Sequence, residues 1–264
     1  MNASYTFEQL VSIMRKLRAP GGCPWDAEQT HESLTRYLLE ETYEVIEAID
    51  EKSPQHLKEE LGDLLLQPIF HAAIAEESGE FTINDVISTL CDKLIRRHPH
   101  VFGDLEIKDS DAQIENWESI KRLEKGDERP SALSGVPDHL PALLKAHKIS
   151  EKASRVGFDW EHADQVFAKV MEELHEFEEA WAGGNPTRME DEMGDLLFAI
   201  ANLGRFLHLN PEEALRKTIT RFQKRFSYVE AELLTQGVPM QNATLEEMDR
   251  LWEKAKSAER ENKL

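Results

Sequence analysis

Four carboxylates in the second half of the chain have the types and spacing of a site for a hard divalent cation. They form two pairs, each with two residues between its members: Glu173 and Glu176, then Glu192 and Asp195. Helical residues three apart lie on one face, and the turn at residues 182–186 predicts an antiparallel hairpin that brings both pairs to a similar height. Four converging carboxylates need a counter-charge to stay ionised. Mg²⁺ accepts such oxygen ligands and usually keeps several waters, which leaves room for phosphate oxygens.

A solvated acidic helix face is the ordinary explanation for one such pair, because the chain has 51 acidic residues. The pair at Glu192 and Asp195 differs in its surroundings. Gly194 lies between its acids, and the apolar run 196–201 follows at once. That run predicts a helix buried nearly all round, where an unpaired carboxylate costs several kcal/mol. We therefore expect a metal ion or a basic partner at these acids.

The same pattern occurs in the first half of the chain, which indicates an internal repeat. Its acids form a second, weaker candidate metal site: Glu41, Glu44, Glu60 and Asp63. Two further matches follow in the same order, residues 93–97 with 221–225 and residues 117–118 with 252–253. Four matches in one order, at similar spacing, indicate two copies of one domain.

Helix patterns dominate the chain, and alternating β-branched runs are nearly absent. Amphipathic helices are predicted at 6–18, 34–50, 57–77, 83–97 and 111–125, and again at 142–154, 164–181, 187–207, 211–235 and 244–261. Three prolines and two glycines between these groups, at 126–141, indicate a linker. The predicted fold is all-α, a tandem of two helical bundles at 1–125 and 142–264.

Bulk composition limits the partners. The net charge of −20 repels phosphate backbones, so we expect no nucleic acid partner. Cys23 and Cys91 build neither a disulfide framework nor a zinc pattern. No apolar run approaches a membrane span, and the first ten residues lack the regions of a signal peptide. A reducing, cytoplasmic setting without membrane contact is expected.

Six stretches resemble the MazG family of nucleoside triphosphate pyrophosphohydrolases in its full-length, two-domain bacterial form: GGCPWDAEQTHESL, LLEETYEVIEAI, EELGDLLLQ, KLIRRHPHVF, VGFDW and EDEMGDLLFA. The resemblance covers nearly the whole chain except the linker. It implies Mg²⁺, which Mn²⁺ could replace, and cleavage of a nucleoside triphosphate between the α and β phosphates to give a monophosphate and pyrophosphate. It also implies a homodimer.

The resemblance assigns the metal ligands, as catalytic residues, to Glu173, Glu176, Glu192 and Asp195. Metal ions neutralise phosphate charge and lower the pKa of a bound water, which makes a nucleophile near neutral pH. The sequence does not single out the general base among these four, and Glu176 is our choice.

A triphosphate needs cations in so acidic a chain. Lys169 lies one turn before Glu173 and shares its face, and three more basic residues crowd the next long helix: Arg221, Lys224 and Arg225. Arg can hold phosphate in a bidentate fork, whereas Lys acts as a point charge. The alternative for the second group is a surface stripe that balances nearby acids. The resemblance places these groups around the nucleotide, together with Glu172, Arg188 and Trp252.

Three other side chains are candidates for a nucleotide contact or for a place in the core. Asn202 stands seven residues after Asp195 on the same helix face, so it could donate to the nucleotide or cap a buried polar pocket. Trp252 could stack on a base or anchor the last helix. We assign Trp160 to the core.

The two halves differ just beyond the acids. Phe70 stands where the second half has Asn202, and Pro68 lies inside the predicted helix. A proline there removes a helical hydrogen bond at roughly 3 kcal/mol and disfavours α geometry at Gln67, so a kink is expected just beyond Asp63. We therefore predict that the C-terminal half is the main catalyst.

The N-terminal half would then bind nucleotide, regulate the chain or hold a dimer together. Its His98 and His100 could contact phosphate or be structural. Two rival functions stay open. One is a narrower pyrophosphohydrolase for dUTP, dCTP, an oxidised nucleotide or phosphoribosyl-ATP, which a nucleotide panel would separate. The other is a non-catalytic nucleotide sensor or helical adaptor, which would bind nucleotide without turnover.

Overall fold

A computed structural model describes residues 4–109 and 131–261, and between these ranges only 112–113, 116–117, 119–120 and 124. The described residues form helices and turns and include no strand, which confirms the all-α prediction. The chain divides into two compact units, Met1–Lys125 and Gly126–Leu264. Each unit contains a hairpin of two long helices that carries one copy of the acidic motif.

The first unit contains α1 (Phe7–Arg18), α2 (Pro24–Glu28), α3 (His31–Glu51), α4 (Pro54–Glu77), α5 (Ile83–Arg97) and α6 (Pro99–Phe102). Three of these helices begin at threonines that form capping boxes, Thr6, Thr30 and Thr82. The α3–α4 hairpin packs against α1, around a core that includes Met14, Leu34, Ile69 and Phe70. The predicted helix 111–125 lies mostly outside the described residues.

The second unit contains α7 (Ala142–Ser154), α8 (Ala163–Gly183), α9 (Pro186–Phe206), α10 (Pro211–Thr235), a 3₁₀ helix (Met240–Asn242) and α11 (Leu245–Glu261). Helices α8 and α9 form the hairpin, α7 packs on α9, and α11 packs on α10. Val229, Leu233 and Leu251 are the buried contacts between α10 and α11. The described part of the predicted linker, 131–141, consists of turns apart from short irregular stretches.

The α8–α9 turn is tight because its residues suit a sharp change of direction. Gly184 ends α8 with φ at 67°, a left-handed conformation that glycine adopts without steric cost. The side-chain oxygen of Asn185 then caps α9 by accepting from the backbone N–H of Arg188 at 3.3 Å. Pro186 follows as the first helical residue, where a missing N–H breaks no helical bond. This turn fixes the register of the acids on α8 against those on α9.

Pro68 does not interrupt α4, which runs from Pro54 to Glu77. The predicted departure of Gln67 from helical geometry is therefore wrong, since Gln67 lies within the helix. Pro68 faces solvent, whereas Gln67, Ile69 and Phe70 are buried. Packing of these neighbours outweighs the local loss of one hydrogen bond, because several buried side chains hold the backbone on both sides of the proline.

The prediction that α9 is buried nearly all round is also wrong for the single chain. Leu197, Phe198 and Ile200 are 43–45% exposed, and in this run only Ala199 and Ala201 are buried. Helices α7 and α8 cover part of the α9 surface and leave a large apolar part open. An exposed apolar surface of this kind is typical of a protein interface.

Candidate metal centre and nucleotide site

Three carboxylates of the second unit converge in the α8–α9 hairpin. Glu173 and Glu176 on α8 and Glu192 on α9 each offer an oxygen, and these oxygens all lie within 4.8 Å of one another. Glu173 is only 7% exposed, whereas the other two are half-buried. We call these three residues the second acidic cluster.

Asp195 lies outside the second acidic cluster. It stands three residues beyond Glu192 on α9 and is exposed. Asp63 has the same spacing from Glu60 and the same short side chain, yet its carboxylate groups with Glu41 and Glu60 in the first unit. Neither the spacing nor the length of the side chain therefore excludes Asp195 from a cation site.

Lys169 supplies the nearest positive charge. Its Nζ lies 2.7 Å from an oxygen of Glu172 and 2.8 Å from one of Glu173. The hydrogen bonds to Glu172 and Glu173 raise the pKa of Lys169 above its ordinary value, so it stays charged. One ammonium thus faces several carboxylates, and the cluster keeps an excess of negative charge.

Glu176 shows the effect of this excess most clearly. Burial raises its pKa first, and the charges of Glu173 and Glu192 raise it further. Glu192 is better compensated, because Nε of Arg188 lies 3.3 Å from its carboxylate. Arg188 is half-exposed and also approaches Glu179 at 3.6 Å, so its charge is shared between two carboxylates.

The first unit also brings three of its four motif acids together, but the acid that lies apart is at a different position of the motif. Glu41, Glu60 and Asp63 offer oxygens within 4.8 Å of one another, and we call them the first acidic cluster. Glu44 is not among them. The pKa of Glu41 is raised by burial and then by the charges of Asp63, Glu44 and Glu60.

The cations around the two clusters differ. Tyr37 stands four residues before Glu41, at the position of Lys169 in the second unit. His56 stands four residues before Glu60, at the position of Arg188, and its Nε2 lies 3.0 Å from the Glu60 carboxylate. The first cluster therefore has no lysine at the position where the second cluster has one.

The basic residues of α10 lie on the side of the unit that faces α11. Arg225 pairs with Glu259 on α11 at 2.7 Å, and Nη2 of Arg221 donates to the hydroxyl of Thr218 at 2.7 Å. A cavity of about 280 Å³ opens here and is lined by Arg221, Arg225, Lys256, Glu259 and Arg260. Lys224 is exposed on the same helix.

Trp252 packs beside the buried contacts of α10 and α11. Its ring centroid lies 5.0 Å from that of Phe222, and the guanidinium of Arg225 lies 5.7 Å from its centre. These contacts fit the interpretation of Trp252 as an anchor for the last helix, and its ring also lies beside Arg225 of the basic group.

Asn202 lines a second cavity, of about 430 Å³, between α7, the loop after it and α9. The lining residues are Leu133, Ile149, Ser150, Ala153, Gly157, Phe158, Asp159, Trp160, Phe198, Asn202 and Arg205. Trp160 is 43% exposed, so its assignment to the core is wrong: the loop holds it at the cavity wall instead.

The sequence analysis missed the ion pair at this cavity. Arg205 Nη1 lies 3.0 Å from Asp159, and Arg205 Nε donates to the side-chain oxygen of Asn202 at 2.9 Å. Position 159 is far from 205 in sequence, so no local spacing reveals the pair. The available signal in the sequence was the run Phe158-Asp159-Trp160, in which an acidic residue lies between two aromatic residues.

His98 has a structural environment in the first unit. Its Nδ1 lies 2.6 Å from the carbonyl oxygen of Leu94, and its ring meets the edge of Trp117 with centroids 5.3 Å apart. The His100 ring lies 5.7 Å from it. Of the two interpretations, these contacts favour the structural one for His98.

An all-α hairpin that gathers carboxylates from two helices beside a lysine fits the class of helical metal-dependent phosphohydrolases. Comparison with known families agrees with this class. Residues 29–102 and 162–229 match the model of the MazG nucleotide pyrophosphohydrolase domain. The chain belongs to the MazG nucleotide pyrophosphohydrolase family, as the resemblance predicted, and each matched segment contains one acidic cluster.

Curated relatives are similar over nearly the whole chain. The nucleoside triphosphate pyrophosphohydrolase/pyrophosphatase MazG of Thermotoga maritima is 51% identical over 257 residues, 97% of this chain and 98% of that protein. The nucleoside triphosphate pyrophosphohydrolase of Escherichia coli is 43% identical over 96% of this chain and 97% of its own length. The uncharacterized protein YabN of Bacillus subtilis is 48% identical over 97% of this chain and 53% of its own length.

The helices of the described residues include none with the length and apolar character needed to cross a membrane.

Proposed function

We propose that this chain hydrolyses nucleoside triphosphates to a nucleoside monophosphate and pyrophosphate. One water is consumed, and the bond between the α and β phosphates breaks. The observation that carries the proposal is the second acidic cluster beside Lys169, in a chain whose relatives along 96–97% of its length are named for this activity.

The residues at the cluster fit a hard divalent cation. Among the described residues, the ligand atoms that group here are all carboxylate oxygens. His175 instead lies near Glu178 and Glu179, at 3.7 and 3.6 Å. Oxygen ligands without nitrogen or sulfur favour Mg²⁺ or Mn²⁺ over zinc. The ligands proposed are Glu173, Glu176 and Glu192, with Asp195 joining them after a change of its side-chain rotamer.

A bound Mg²⁺ would neutralise phosphate charge and make a water molecule more acidic. Glu176 is our choice of general base, because its half-buried carboxylate lies beside Glu173 and Glu192 at the proposed cation site. It accepts the proton of the attacking water on a carboxylate oxygen. Lys169 can leave Glu172, which is exposed, and place its charge on the polyphosphate as negative charge develops on the leaving pyrophosphate.

Further contacts to the triphosphate are proposed for Arg188 and for the basic group of α10, Arg221, Lys224 and Arg225. Arg188 is the most accessible of these to the cluster, since it already contacts Glu192. A polyphosphate that replaces Glu259 as the partner of Arg225 would gain a bidentate contact. Trp252 would support this group by packing against Arg225.

We assign catalysis mainly to the second unit. Tyr37 and His56 replace Lys169 and Arg188 in the first unit, so the first acidic cluster has fewer positive charges beside it. Its helix α5 keeps Lys93, Arg96 and Arg97 at the positions of the basic group of α10. The first unit would bind a cation and hold the assembly together. The exposed apolar residues of α9 support a homodimer, and the two free cysteines suit a reducing cytoplasm.

Product analysis tests the activity. The purified chain is incubated with a panel of ribo- and deoxynucleoside triphosphates, dUTP, dCTP and phosphoribosyl-ATP, in Mg²⁺, in Mn²⁺ and in EDTA. We expect pyrophosphate and monophosphate in the metal arms and neither in EDTA. Orthophosphate with a diphosphate product contradicts the proposal, and binding without turnover favours the adaptor. Turnover of one nucleotide alone favours the narrower enzyme.

A further inference from the structure

Glu259 on α11 occupies an arginine that we propose as a phosphate contact. One of its carboxylate oxygens lies 3.1 Å from Nε and 2.7 Å from Nη2 of Arg225. We infer that Glu259 is a tethered competitor of phosphate, which a polyphosphate displaces and a single phosphate does not. The inference rests on the proposed function and adds to it a residue that determines which ligands bind tightly.

The pair of Glu259 and Arg225 has the geometry of a phosphate contact. A guanidinium binds carboxylate and phosphate oxygens through the same N–H donors. Here one oxygen of Glu259 accepts from two of these donors, and this hydrogen bonding raises the pKa of Arg225 above its ordinary value. The carboxylate therefore lies where an oxygen of a bound phosphate would lie.

The cavity of about 280 Å³ around this pair is otherwise basic. Its lining residues are four cations and one acid: Arg221, Arg225, Lys256, Arg260 and Glu259. Lys256 also pairs with Glu253 at 2.6 Å, so positive charges still outnumber carboxylates here. A site with this excess attracts anions even while Glu259 is in place.

The contacts of the pair allow Glu259 to leave while Arg225 stays. The guanidinium of Arg225 lies 5.7 Å from the ring centre of Trp252, and this cation–π contact holds it when the carboxylate departs. The side chain of Glu259 is 29% exposed, so it can turn toward water. Because partly exposed ion pairs are weak, a ligand with more negative charge can replace the carboxylate.

The first unit repeats the pair, which indicates that the acid has a role at this position. Glu124 and Glu259 each stand seven residues after a tryptophan. The carboxylate of Glu124 lies 2.5 Å from Arg97 and 2.7 Å from Arg96, and hydrogen bonds from Arg97, then Arg96, lower its pKa to about 2. In the second unit Lys224 stands at the position of Arg96, and a lysine lacks the fork that binds a carboxylate twice.

Competition by Glu259 acts differently on ligands of different charge. A ligand that reaches Arg225 must first replace the carboxylate, so its binding is weakened by the free energy of the lost pair. The β and γ phosphates together carry more negative charge than one carboxylate and gain from the exchange. A monophosphate at the second acidic cluster has no further phosphate to extend to Arg225. After cleavage, the return of Glu259 helps pyrophosphate to leave.

The test removes the charge of Glu259. Binding to wild type and Glu259→Gln is measured by calorimetry in Mg²⁺ with two probes: AMP, and α,β-methylene-ATP, in which a methylene group replaces the oxygen between the α and β phosphates. We expect Glu259→Gln to bind α,β-methylene-ATP at least threefold more tightly and AMP within twofold of wild type. Glu213→Gln is the matched control, because Glu213 pairs with Arg216 at 2.7 Å on α10 with similar exposure. It should bind both probes as wild type does.

Glu259→Ala separates the loss of charge from a new contact by the glutamine amide, and it should show the same tightening. Pyrophosphate should also inhibit both Glu259 variants at least threefold more strongly than wild type in steady-state assays. Unchanged or weaker binding of α,β-methylene-ATP in both variants would show that the pair is structural and overturn the inference. The same change in Glu213→Gln, or no binding by wild type, would also overturn it.

The proposed function fails separately from this inference. If both Glu259 variants bind α,β-methylene-ATP more tightly, but wild type releases no pyrophosphate from ATP, the result supports the competitor and contradicts the activity. If wild type releases pyrophosphate and the Glu259 variants bind the probe no more tightly, the activity stands and the competitor is refuted.

Discussion

Glu192→Gln separates the chemical role of the second acidic cluster from its effect on stability. The variant keeps the size of the side chain and removes one negative charge. We expect it to lose pyrophosphate release and, in metal-free buffer, to be more stable than wild type. Lost activity with higher stability indicates a cluster that binds a cation, whereas lower stability indicates a cluster that supports the fold.

The expected gain in stability of Glu192→Gln follows from the distance between the carboxylates. The ligand oxygens of Glu192 and Glu173 lie within 4.8 Å, and both side chains are largely buried. Two like charges at that distance repel by about 3.5 kcal/mol at an effective dielectric constant of 20 and about 1 kcal/mol in water. The half-exposed ion pair with Arg188, which the variant weakens, is worth only about 0–1 kcal/mol. The expected net gain in the free energy of unfolding is about 1–2 kcal/mol.

Magnesium should reverse the order of stability of wild type and Glu192→Gln. A cation at 100 times its Kd stabilises wild type by about 2.7 kcal/mol, and a variant whose affinity is roughly 10–100 times weaker loses about 1.3–2.3 kcal/mol of that gain. Thermal unfolding is therefore followed in EDTA and in MgCl₂. Wild type should melt below Glu192→Gln in EDTA and level with it or above it in MgCl₂.

Glu60→Gln is the matched control, since it makes the same change in the first acidic cluster. It should raise stability in EDTA in a similar way and leave most pyrophosphate release intact. If Glu192→Gln lowers stability in EDTA, the repulsion argument is refuted. If Glu60→Gln abolishes pyrophosphate release while Glu192→Gln does not, catalysis belongs to the first unit.

Three further predictions concern single side chains. Lys169→Met should raise the KM for ATP at least tenfold in steady-state assays, because it removes the ammonium beside Glu173, whereas Tyr37→Phe should change it less than twofold; equal effects would contradict the assigned role. Pro68→Ala should stabilise the first unit by up to about 3 kcal/mol in urea unfolding, since the proline is exposed and the change restores a helical N–H; a loss of stability would show that the proline fits a bend. The Nδ1 atoms of His31 and His71 lie 2.7 Å apart, and burial, then the charge of His31, lowers the pKa of His71 below its ordinary 6.5. The unfolded chain therefore binds the extra proton, so this contribution to stability is present above pH 6.5 and lost as the pH falls through the folded pKa. His71→Gln should flatten urea midpoints between pH 5 and 8, and an unchanged slope would rule the pair out.

Spacing alone was sufficient to predict that Glu173, Glu176 and Glu192 converge. Glu173 and Glu176 share a face by helical geometry, and a Gly-Asn-Pro turn leaves few ways to join α8 and α9. The two halves also repeat the motif in order, which predicted two copies of one fold. These inferences use contacts local in sequence, for which helix period and turn chemistry suffice.

Contacts between distant segments could not be predicted in the same way. The pair of Asp159 and Arg205 depends on how the loop after α7 meets the end of α9, which no periodicity encodes. The exposure of Leu197 and Ile200 was also missed, because an apolar run shows that a helix will be covered but not whether its own chain covers it. The absence of Asp195 from the second acidic cluster could not be predicted either, since Asp63 has the same spacing and side chain and belongs to the first acidic cluster.

The two units show how little sequence change separates a cation site from a nucleotide site on this fold. Each hairpin gathers three carboxylates within 4.8 Å, so each carries like-charge repulsion that a cation relieves. A triphosphate adds more negative charge, and only the second unit has Lys169 to face it. Among the described residues, Phe70 is buried in the core of the first unit, whereas Asn202 lines an open cavity in the second. We therefore propose that the acids set the place of a metal ion, and that residues one to three turns away determine whether a nucleotide also binds.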